Sequence, residues 1–488
     1  MSLTQRSFAK RDLRHLAIYF AFLCILVSGC QKTKDSDKSA DDEASRESAE
    51  IHFVVIDDQP LAKAIERQVP ARIGTKVVMQ QMSADEFNRL DFDQLKTDVI
   101  VYPSWMLGSM VERQLLMTIP KYVLELEQTA HGDVLPIERR IVSRFGDREL
   151  GFSLGSPSLV LHYREDLFRK LALAPPKTWA EYQTAVDKLQ AWHASQNLNQ
   201  PLIWSATCEP LQSEWAAQIL LARSAAYIRK YGTYSTLFDI DSMEPLINQE
   251  PYAKALTELA AAVKNSPHDL RSMQPADVKR AILQSECAMA ITWPAKGDTN
   301  ANVSDDQQVS IAELPGSATV YDFSSQSWKS RDDKLPRSVP LIGVSGRLAS
   351  VARSSQQSSS AFKLLALICG KEMIAKVSPS SENTSISRTS QLGNASAWIG
   401  PQYSPGADQD YAQAIERWND DQLYLMSLRI PGREEYLQSL SEAVGKTLDG
   451  GDPQTALDET AARWREITNA HGLEKQKTAY LRSLGIKP

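Results

Sequence analysis

The chain has 488 residues, of which 42% are hydrophobic and 23% are charged, so it can bury a sizeable core and is neither disordered nor fibrous. It carries 54 Lys and Arg residues against 60 Asp and Glu residues, and this net charge of −6, without a basic stripe, argues against a nucleic-acid partner. Its 5 cysteines are too few and too scattered for a disulfide scaffold or a zinc cluster.

The first thirty residues have the pattern of an export signal. A basic start, with Lys and Arg residues between positions 6 and 14, precedes an apolar run over 16–27 that is too short to span a membrane. The run ends in 27–30 (VSGC), which resembles the lipobox of bacterial lipoproteins. The resemblance implies that 1–29 are a signal peptide and that Cys30 is lipidated as the first mature residue. An ordinary signal peptide or an uncleaved anchor is the alternative.

Residues 30–50 have the composition of a tether. Residues 31–50 contain no aromatic and no large aliphatic side chain, so this segment cannot bury apolar surface and is predicted to be disordered. No later stretch approaches the roughly twenty apolar residues that cross a bilayer. The predicted location is therefore extracytoplasmic, with the lipid on Cys30 as the membrane contact.

From residue 51 onward, short β-rich runs alternate with helical runs. Strands are predicted over 51–56, 75–79 and 98–102, and helices over 61–68 and 84–95. This alternation predicts an α/β layer with a mostly parallel sheet. Two more extended runs, 151–154 and 159–163, flank the breaker residues 155–157, which suit a crossing between two lobes.

The later part of the chain is mainly helical in pattern. Thr178 and Glu181 have the spacing of a capping box, which predicts a helix that begins at Thr178. Further helices are predicted over 213–230, 252–263, 276–285 and 361–368, and extended segments over 288–293 and 341–345. Asp452 and Pro453 open a last long helix. Its buried stripe is predicted to comprise Leu457, Ala461, Trp464 and Ile467.

Two linked motifs carry a resemblance to a known family. Residues 163–168 read YREDLF and residues 175–182 read PPKTWAEY, where the family writes Tyr-x-x-Asp-Leu-Phe and then Pro-x-Thr-Trp-x-Glu. Other matching segments follow the family's order, at 98–101, 116–120, 286–293, 343–362 and 450–468. The chain thus resembles the bacterial extracellular solute-binding proteins of ABC importers, in their sugar-binding type (family 1), over about 51–470.

The resemblance implies an α/β, two-lobed periplasmic-binding-protein-like fold of type II, with an interlobe cleft and a helical C-terminal region. Lobe one would comprise 50–155 plus 316–355, and lobe two 157–314 plus 358–488. The crossings would lie near 155–157, 314–316 and 354–360. We expect the lobes to close on ligand about these crossings, because ligand contacts both lobes only in the closed form.

Three tryptophans are candidate ligand residues, because a saccharide needs flat aromatic faces against its C–H surfaces. Trp105 follows a predicted strand at its carboxyl end, where α/β folds place ligands. Trp293 follows the extended run 288–291, and Trp215 lies where the second lobe of the family commonly presents an aromatic side chain. Packing in the core is the alternative role for each of them.

Polar candidates would bind the hydroxyl groups, each of which needs a partner when it is buried. Ser156 belongs to the crossing segment that borders the cleft in the family, and Glu209 lies where lobe two commonly supplies a polar group. Asp57 and Asp58 follow the first strand. They would either bond ligand hydroxyls or cap the following helix.

The function that the resemblance implies is capture of a small solute, a mono- or oligosaccharide, and its delivery to an ABC permease. We expect a monomer with no cofactor and no metal. A ligand-sensing lipoprotein of the same fold is one alternative, and a secreted hydrolase is another. The sequence has no Gly-x-Ser-x-Gly, P-loop, Cys-x-x-Cys or His-Glu-x-x-His motif to nominate catalytic residues.

Some features depart from the family pattern or leave a choice open. The segments 296–308, 324–334 and 383–406 are expected to reshape the cleft. Cys208, Cys287 and Cys369 are predicted to be buried structural thiols, with one disulfide and a leftover thiol as the alternative.

Overall fold

A computed structural model describes residues 50–69, 76–92, 95–196, 204–296, 308–332, 334 and 337–487. The predicted signal peptide, Cys30 and nearly all of the predicted tether lie outside this part of the chain, as does most of the segment 296–308. No helix within the described ranges has the length and apolar character needed to cross a membrane.

The described residues form an α/β fold. Its strands are β1 (Glu50–Ile56), β2 (Lys76–Met82), β3 (Val99–Pro103), β4 (Arg144–Phe145), β5 (Arg148–Glu149), β6 (Phe152–Ser153), β7 (Val160–Arg164), β8 (Ser205–Cys208), β9 (Cys287–Thr292), β10 (Val309–Ala312), β11 (Thr319–Asp322), β12 (Ser327–Ser330), β13 (Leu341–Ile342), β14 (Arg347–Val351) and β15 (Leu425–Met426). Its α-helices are α1 (Gln59–Gln68), α2 (Ala84–Arg89), α3 (Leu107–Glu112), α4 (Lys121–Leu124), α5 (Glu165–Lys170), α6 (Trp179–Ala194), α7 (Glu214–Ile228), α8 (Glu250–Val263), α9 (Pro275–Leu283), α10 (Ser358–Ile368), α11 (Lys371–Val377), α12 (Ala407–Asp421), α13 (Arg433–Leu448), α14 (Pro453–His471) and α15 (Leu473–Ser483).

The first sheet has the strand order β2-β1-β3-β14-β6. The strands β2, β1 and β3 are parallel, whereas β14 is antiparallel to both of its neighbours. Strand β1 is apolar on both faces, since Phe53 and Val55 belong to one core cluster and Val54 and Ile56 to another. A parallel strand covered by helices on both sides requires this pattern.

The second sheet has the order β10-β7-β9-β8. Its strand β9 is buried along its whole length, as the run Cys287–Thr292 predicts for a strand covered on both faces. With a sheet in each lobe and helices around both, the fold is the predicted two-lobed α/β fold.

Two helix starts follow the predicted local chemistry. The Thr178 Oγ1 accepts from the Glu181 N–H at 3.2 Å, although the Glu181 carboxylate bonds the N–H of Lys177 at 2.7 Å and not that of Thr178. The Asp452 carboxylate caps α14 by accepting from Thr455 N–H at 2.8 Å. The predicted stripe of α14 is buried at Leu457, Ala461, Trp464 and Ile467.

Residues 316–342 differ from the predicted lobe assignment, which joined them to lobe one. The hairpin β11–β12 packs on the carboxyl end of α7, where Trp328 meets Tyr227 at 5.7 Å between ring centroids. The Arg331 guanidinium donates to the Ala226 carbonyl at 2.6 Å. Because Arg223 of α7 pairs with Glu209 directly after β8, the described residues of this hairpin join the elements of lobe two. The predicted strand 341–345 shortens to β13, which pairs with β15 outside the first sheet.

The helices α10 and α11 also differ from the prediction, which placed 358–488 in lobe two. Their apolar side chains, among them Phe362, Leu365 and Ile374, share a buried cluster with Val351 and Phe53 of the first sheet. The connection from β14 into α10 is short, so the helix folds back onto the sheet that it has just left. Lobe one therefore takes its second part from β14 through α11.

The segments that run between the two sheets touch one another at glycines. Gly155 has φ +106°, and a Cβ there would lie 2.0 Å from the Ser385 carbonyl oxygen. Gly346 has φ +110°, and a Cβ there would lie 2.4 Å from the Ser156 Oγ. Only glycine fits at such contacts and adopts these dihedral angles without strain.

The three cysteines of the described residues, Cys208, Cys287 and Cys369, are buried free thiols. This agrees with the prediction of structural thiols.

Candidate functional site

The carboxyl ends of strands from both sheets meet across one loop. Ser381 donates its hydroxyl to Asp58, which follows β1 of the first sheet. The next residue, Glu382, accepts at its carbonyl from the Trp293 Nε1 at 2.8 Å, and Trp293 directly follows β9 of the second sheet. One loop thus joins the carboxyl ends of strands from both sheets, and such ends are where open α/β sheets place ligands.

The three predicted tryptophans lie close to these strand ends, and their contact with ligand stays a prediction. Trp105 stands on a turn after β3 that Ser104 fixes, because its hydroxyl donates to the Ser345 carbonyl at 2.7 Å. Trp215 lies in the first turn of α7, and its ring meets that of Trp293 at 5.5 Å between centroids. Trp105 and Trp215 are half-buried and Trp293 is 7% exposed.

Charged residues that the sequence did not nominate link these aromatics. The Arg433 guanidinium lies 4.6 Å from the centre of the Trp105 ring, and its Nη1 donates to the Glu214 carboxylate at 2.6 Å. Glu214 precedes Trp215, so one chain of contacts runs from lobe one to lobe two. A second ion pair joins Lys279 Nζ and Glu382 Oε2 at 2.8 Å beside Trp293.

The position of Arg433 depends on a tight turn before α13. Gly432 has φ +76°, and a Cβ there would come within 2.6 Å of the His471 ring. The turn therefore packs closely on the end of α14, and it directs the first residue of α13 to the cleft. An arginine at the start of a helix is usually exposed to solvent, so no sequence pattern nominated Arg433. The preceding Gly432 indicated only a turn.

Asp57 and Asp58 have different environments. Asp58 is buried, accepts from Leu61 N–H at 3.1 Å as the cap of α1, and pairs with Arg347 at 3.0 Å. Asp57 is exposed, has φ +51°, and accepts from the Ala84 N–H at 3.2 Å. The capping role considered for this pair thus belongs to Asp58, and contact between Asp57 and ligand stays a prediction.

Ser156 lies in the crossing segment and is held by a buried acid. Its N–H donates to Glu138 Oε1 at 3.2 Å and its hydroxyl to Oε2 at 3.3 Å, while the Ser153 hydroxyl donates at 2.6 Å. Burial raises the pKa of Glu138 to about 7, although these serine hydrogen bonds oppose the shift. Ser156 is therefore part of a hydrogen-bonded crossing, and its contact with ligand stays a prediction.

The structure contradicts the predicted role of Glu209 as a ligand-binding residue. It follows β8 as expected, but it has no exposed surface, and the Arg223 Nε donates to its Oε2 at 2.9 Å. The Arg223 Nη2 and the Tyr182 hydroxyl both donate to its Oε1. Burial opposes charge on Arg223, yet the Glu209 carboxylate outweighs it and raises the Arg223 pKa. Glu209 thus holds the core of lobe two together and does not reach the cleft.

The segments expected to reshape the cleft have separate outcomes. The described residues of 324–334 belong to the β11–β12 region at the carboxyl end of α7, and a helix of this length places them about 20 Å from Trp215. At the first residue of the segment 383–406, the Asn383 Oδ1 accepts from the Ser345 hydroxyl at 3.4 Å. Residues 297–307 lie outside the described residues.

The chemistry of these groups suits a polar, uncharged solute. Aromatic faces from both lobes offer apolar contact, and carboxylates, an arginine and an asparagine offer hydrogen bonds around them. Among the described residues, no group of three or more His, Cys, Asp or Glu side chains is placed to hold a metal ion.

Comparison with known proteins places this geometry in a family. The profile described as bacterial extracellular solute-binding protein matches residues 61–398, which is more than half of the chain. No curated protein shows a significant sequence match to the chain.

Solved structures of similar fold are distant in sequence. An ABC transporter solute-binding protein from Agrobacterium radiobacter K84 in complex with ribitol is 16% identical, with a TM-score of 0.64 over 86% of this chain and 98% of that chain. The maltose-bound MalE3 of T. maritima is 14% identical, with a TM-score of 0.62 over 86% and 100%. The sugar-binding protein MalE from Xanthomonas citri is 16% identical, with a TM-score of 0.63 over 87% and 99%. At these identities the similarity shows the fold.

Proposed function

The chain belongs to the bacterial extracellular solute-binding proteins, and we propose that it captures a carbohydrate between its lobes and delivers it to an ABC-type importer. The observation that carries this proposal is the set of three tryptophans, contributed by both lobes, that meets charged side chains at the facing strand edges. Aromatic faces bordered by hydrogen-bonding groups are what saccharide binding requires. Ribitol and maltose in structures of similar fold support the same class of ligand.

Lobe closure is the proposed mechanism. The crossing segments meet at Gly155 and Gly346, where a few backbone dihedral angles can absorb the movement of one lobe against the other. A ligand that contacts Trp105 on one lobe and Trp215 on the other gains its full set of contacts only when the lobes close. Binding then shifts the population toward the shape that a permease recognises.

A thermal-shift screen of residues 31–488 against sugars, oligosaccharides, polyols, polyamines and metal ions tests the proposal. A ligand at 100 times its dissociation constant stabilises the native state by about 2.7 kcal/mol, which raises the melting temperature measurably. We expect a concentration-dependent rise with one class of saccharide or polyol. A flat profile across these compounds, from protein whose folding circular dichroism confirms, would overturn the proposal.

Trp105→Ala is the first variant to test for the site. Loss of a central aromatic contact should weaken ligand binding by about tenfold or more, as measured by isothermal titration calorimetry. Trp328→Ala is the matched control, because that tryptophan packs on Tyr227 away from the cleft and should leave affinity unchanged. Equal affinities for both variants would remove Trp105 from the site.

A lipid on Cys30 is the proposed membrane anchor. The support is the sequence at 27–30, and a lipoprotein carries more than one acyl chain, which stable anchoring requires. Labelling of cells with radioactive palmitate should mark the wild-type protein and leave Cys30→Ser unlabelled. A label that persists in Cys30→Ser would exclude this site.

We also propose that the protein is a monomer and that it binds its ligand without converting it chemically. Incubation of the protein with the bound oligosaccharide should release no new reducing ends. Light scattering coupled to gel filtration should give the mass of one chain with and without ligand. Release of reducing sugar would instead favour the hydrolase alternative.

A further inference from the structure

Arg433 is buried beside Trp105, and most of the N–H groups of its guanidinium are unused. The side chain is 6% exposed, and its Nη1 is paired with Glu214. Its Nε and Nη2 are shielded from solvent and have no hydrogen-bond partner within the described part of the chain. Buried N–H groups of a cation without acceptors are destabilising, so their presence in a cleft needs an explanation.

The two unused nitrogens form one edge of the guanidinium group. In arginine, the Nε–H and one N–H of Nη2 point the same way, so they bind two neighbouring oxygen atoms side by side. Arg164 uses this edge for both oxygens of Asp166, at 2.7 and 2.6 Å. In Arg433 the same edge is unoccupied, while the ring of Trp105 covers the face of the guanidinium.

The surroundings of Arg433 are reached from solvent. Glu214 is 30% exposed, and Trp105 and Trp215 are each half-buried. A ligand in the cleft could therefore reach the unused edge.

Local charge indicates what kind of oxygen pair fits. The cations near the strand ends of the site are already paired, Arg433 with Glu214, Lys279 with Glu382 and Arg347 with Asp58. Asp57 adds an exposed carboxylate at the same strand edge. A ligand carboxylate would meet this surplus of negative charge, whereas hydroxyl groups can accept from arginine and donate to the nearby carboxylates.

We infer that Arg433 determines ligand specificity by binding two neighbouring hydroxyl oxygens of a neutral saccharide or polyol through its Nε and Nη2, with Trp105 stacked on the guanidinium. The inference rests on the proposed carbohydrate-binding function and assigns a further residue and a ligand class to that site. The carboxylates around Arg433, Glu214 among them, disfavour acidic sugars.

Isothermal titration calorimetry with maltose, D-mannitol, D-glucose and D-glucuronate tests the inference on residues 31–488. Arg433→Lys keeps the positive charge near Glu214 and loses the side-on edge. We expect it to weaken binding of whichever neutral probes bind the wild type by about tenfold or more. Arg463→Lys, an exposed residue of α14 paired with Glu466, is the matched control and should bind like the wild type.

Glu214→Gln provides a second variant that separates a direct role from a structural one. Removing this carboxylate lowers the negative charge beside Arg433, so it should narrow the preference for D-glucose over D-glucuronate. Unchanged neutral-sugar affinity in Arg433→Lys, or tighter binding of D-glucuronate than of D-glucose by the wild type, would overturn this inference while the proposed function stands. If the wild type binds none of the neutral probes, this inference is wrong. The wider thermal-shift screen then tests the proposed function separately.

Discussion

The buried pair of Glu209 and Arg223 stabilises lobe two, and its removal should be costly. Glu209→Gln leaves the Arg223 guanidinium in the core without its counter-charge, 1% exposed. Breaking one side of a buried ion pair costs about 3–5 kcal/mol. We expect that loss in the free energy of unfolding, measured by urea denaturation, with ligand affinity unchanged.

Glu466→Gln is the matched control for this prediction. Glu466 pairs with Arg463 on the exposed side of α14, where an ion pair contributes little. If Glu209→Gln kept wild-type stability and lost ligand affinity, the original sequence-based role of Glu209 as a ligand contact would return.

Glu138 should make stability depend on pH. Burial raises its pKa in the folded chain to about 7, above the ordinary value of 4.5, so the folded state holds the proton more tightly than the unfolded state. The free energy of unfolding therefore falls as pH rises from about 4.5 through about 7, by up to about 3 kcal/mol from this residue. Glu149, whose pKa burial also raises to about 7, acts in the same direction.

Glu138→Gln isolates that contribution. Urea denaturation at pH 5 and pH 8 should show a smaller loss of stability for Glu138→Gln than for the wild type. The residues that face Glu138, which are Ser153, Ser156 and Tyr411, remain in place, so the comparison reads the carboxyl group itself. Equal losses for both proteins would show that Glu138 titrates at an ordinary pKa.

At the scale of elements, helix α3 packs against the segment that precedes Arg433. A Cβ on Gly108 would lie 1.7 Å from the Arg429 carbonyl oxygen, so α3 and this segment are in backbone contact. The Arg429 side chain donates to the carbonyls of Val142, Ile141 and Ser483, which leaves the segment little freedom to shift. We expect Gly108→Ala to destabilise the fold by about 2 kcal/mol or more and to weaken ligand binding by displacing Arg433.

Gly445→Ala is the opposite case on α13. Nothing lies within 4 Å of a Cβ at Gly445, and alanine favours the helix over glycine by about 1 kcal/mol. This variant should gain stability in urea denaturation and keep its affinity. Equal behaviour of the two alanine variants would mean that α3 does not fix the position of Arg433.

The elements that the sequence predicted well are those that local chemistry determines. The starts of α6 and α14 follow from caps within a few residues, at Thr178 and Asp452. Strand β14 was not predicted, because its first residue is a buried arginine, Arg347, whose partner Asp58 lies far away in the chain. A strand of that composition shows its place only once the long-range pairing exists.

The candidate site likewise contains residues that the sequence could nominate and residues that it could not. Trp105 and Trp293 were named from their positions after strands, and Trp215 from the family resemblance. The rings of Trp215 and Trp293 are in contact and Trp105 contacts Arg433, whereas their contact with ligand stays a prediction. Glu209 has the same kind of position, yet an arginine on α7 binds it in the core, which no local pattern reveals. Arg433 was missed for the converse reason, because its importance depends on what it contacts on another lobe.

At the scale of the whole molecule, the crossing segments determine whether the lobes can close. Gly346 combines φ +110° with a Cβ position 2.8 Å from the backbone of Ser156, so alanine there would strain its own backbone and push one crossing away from another. Gly450 also has a positive φ, of +94°, but nothing lies within 4 Å of a Cβ there. The two glycines therefore separate the strain of the dihedral angle from the contact between crossings.

Small-angle X-ray scattering measures lobe closure as a change in the radius of gyration. In the wild type, saturating ligand should lower the radius of gyration, because the lobes close around the ligand. We expect Gly346→Ala to lose most of that change and to bind more weakly, since closing the lobes on ligand then has to overcome the displaced crossing. Gly450→Ala introduces only the strain of a positive φ, which lowers stability by about 1–2 kcal/mol. Its radius of gyration should decrease on ligand binding as in the wild type. A wild-type radius of gyration that ligand leaves unchanged would contradict closure, and equal compaction in both variants would place the hinge elsewhere.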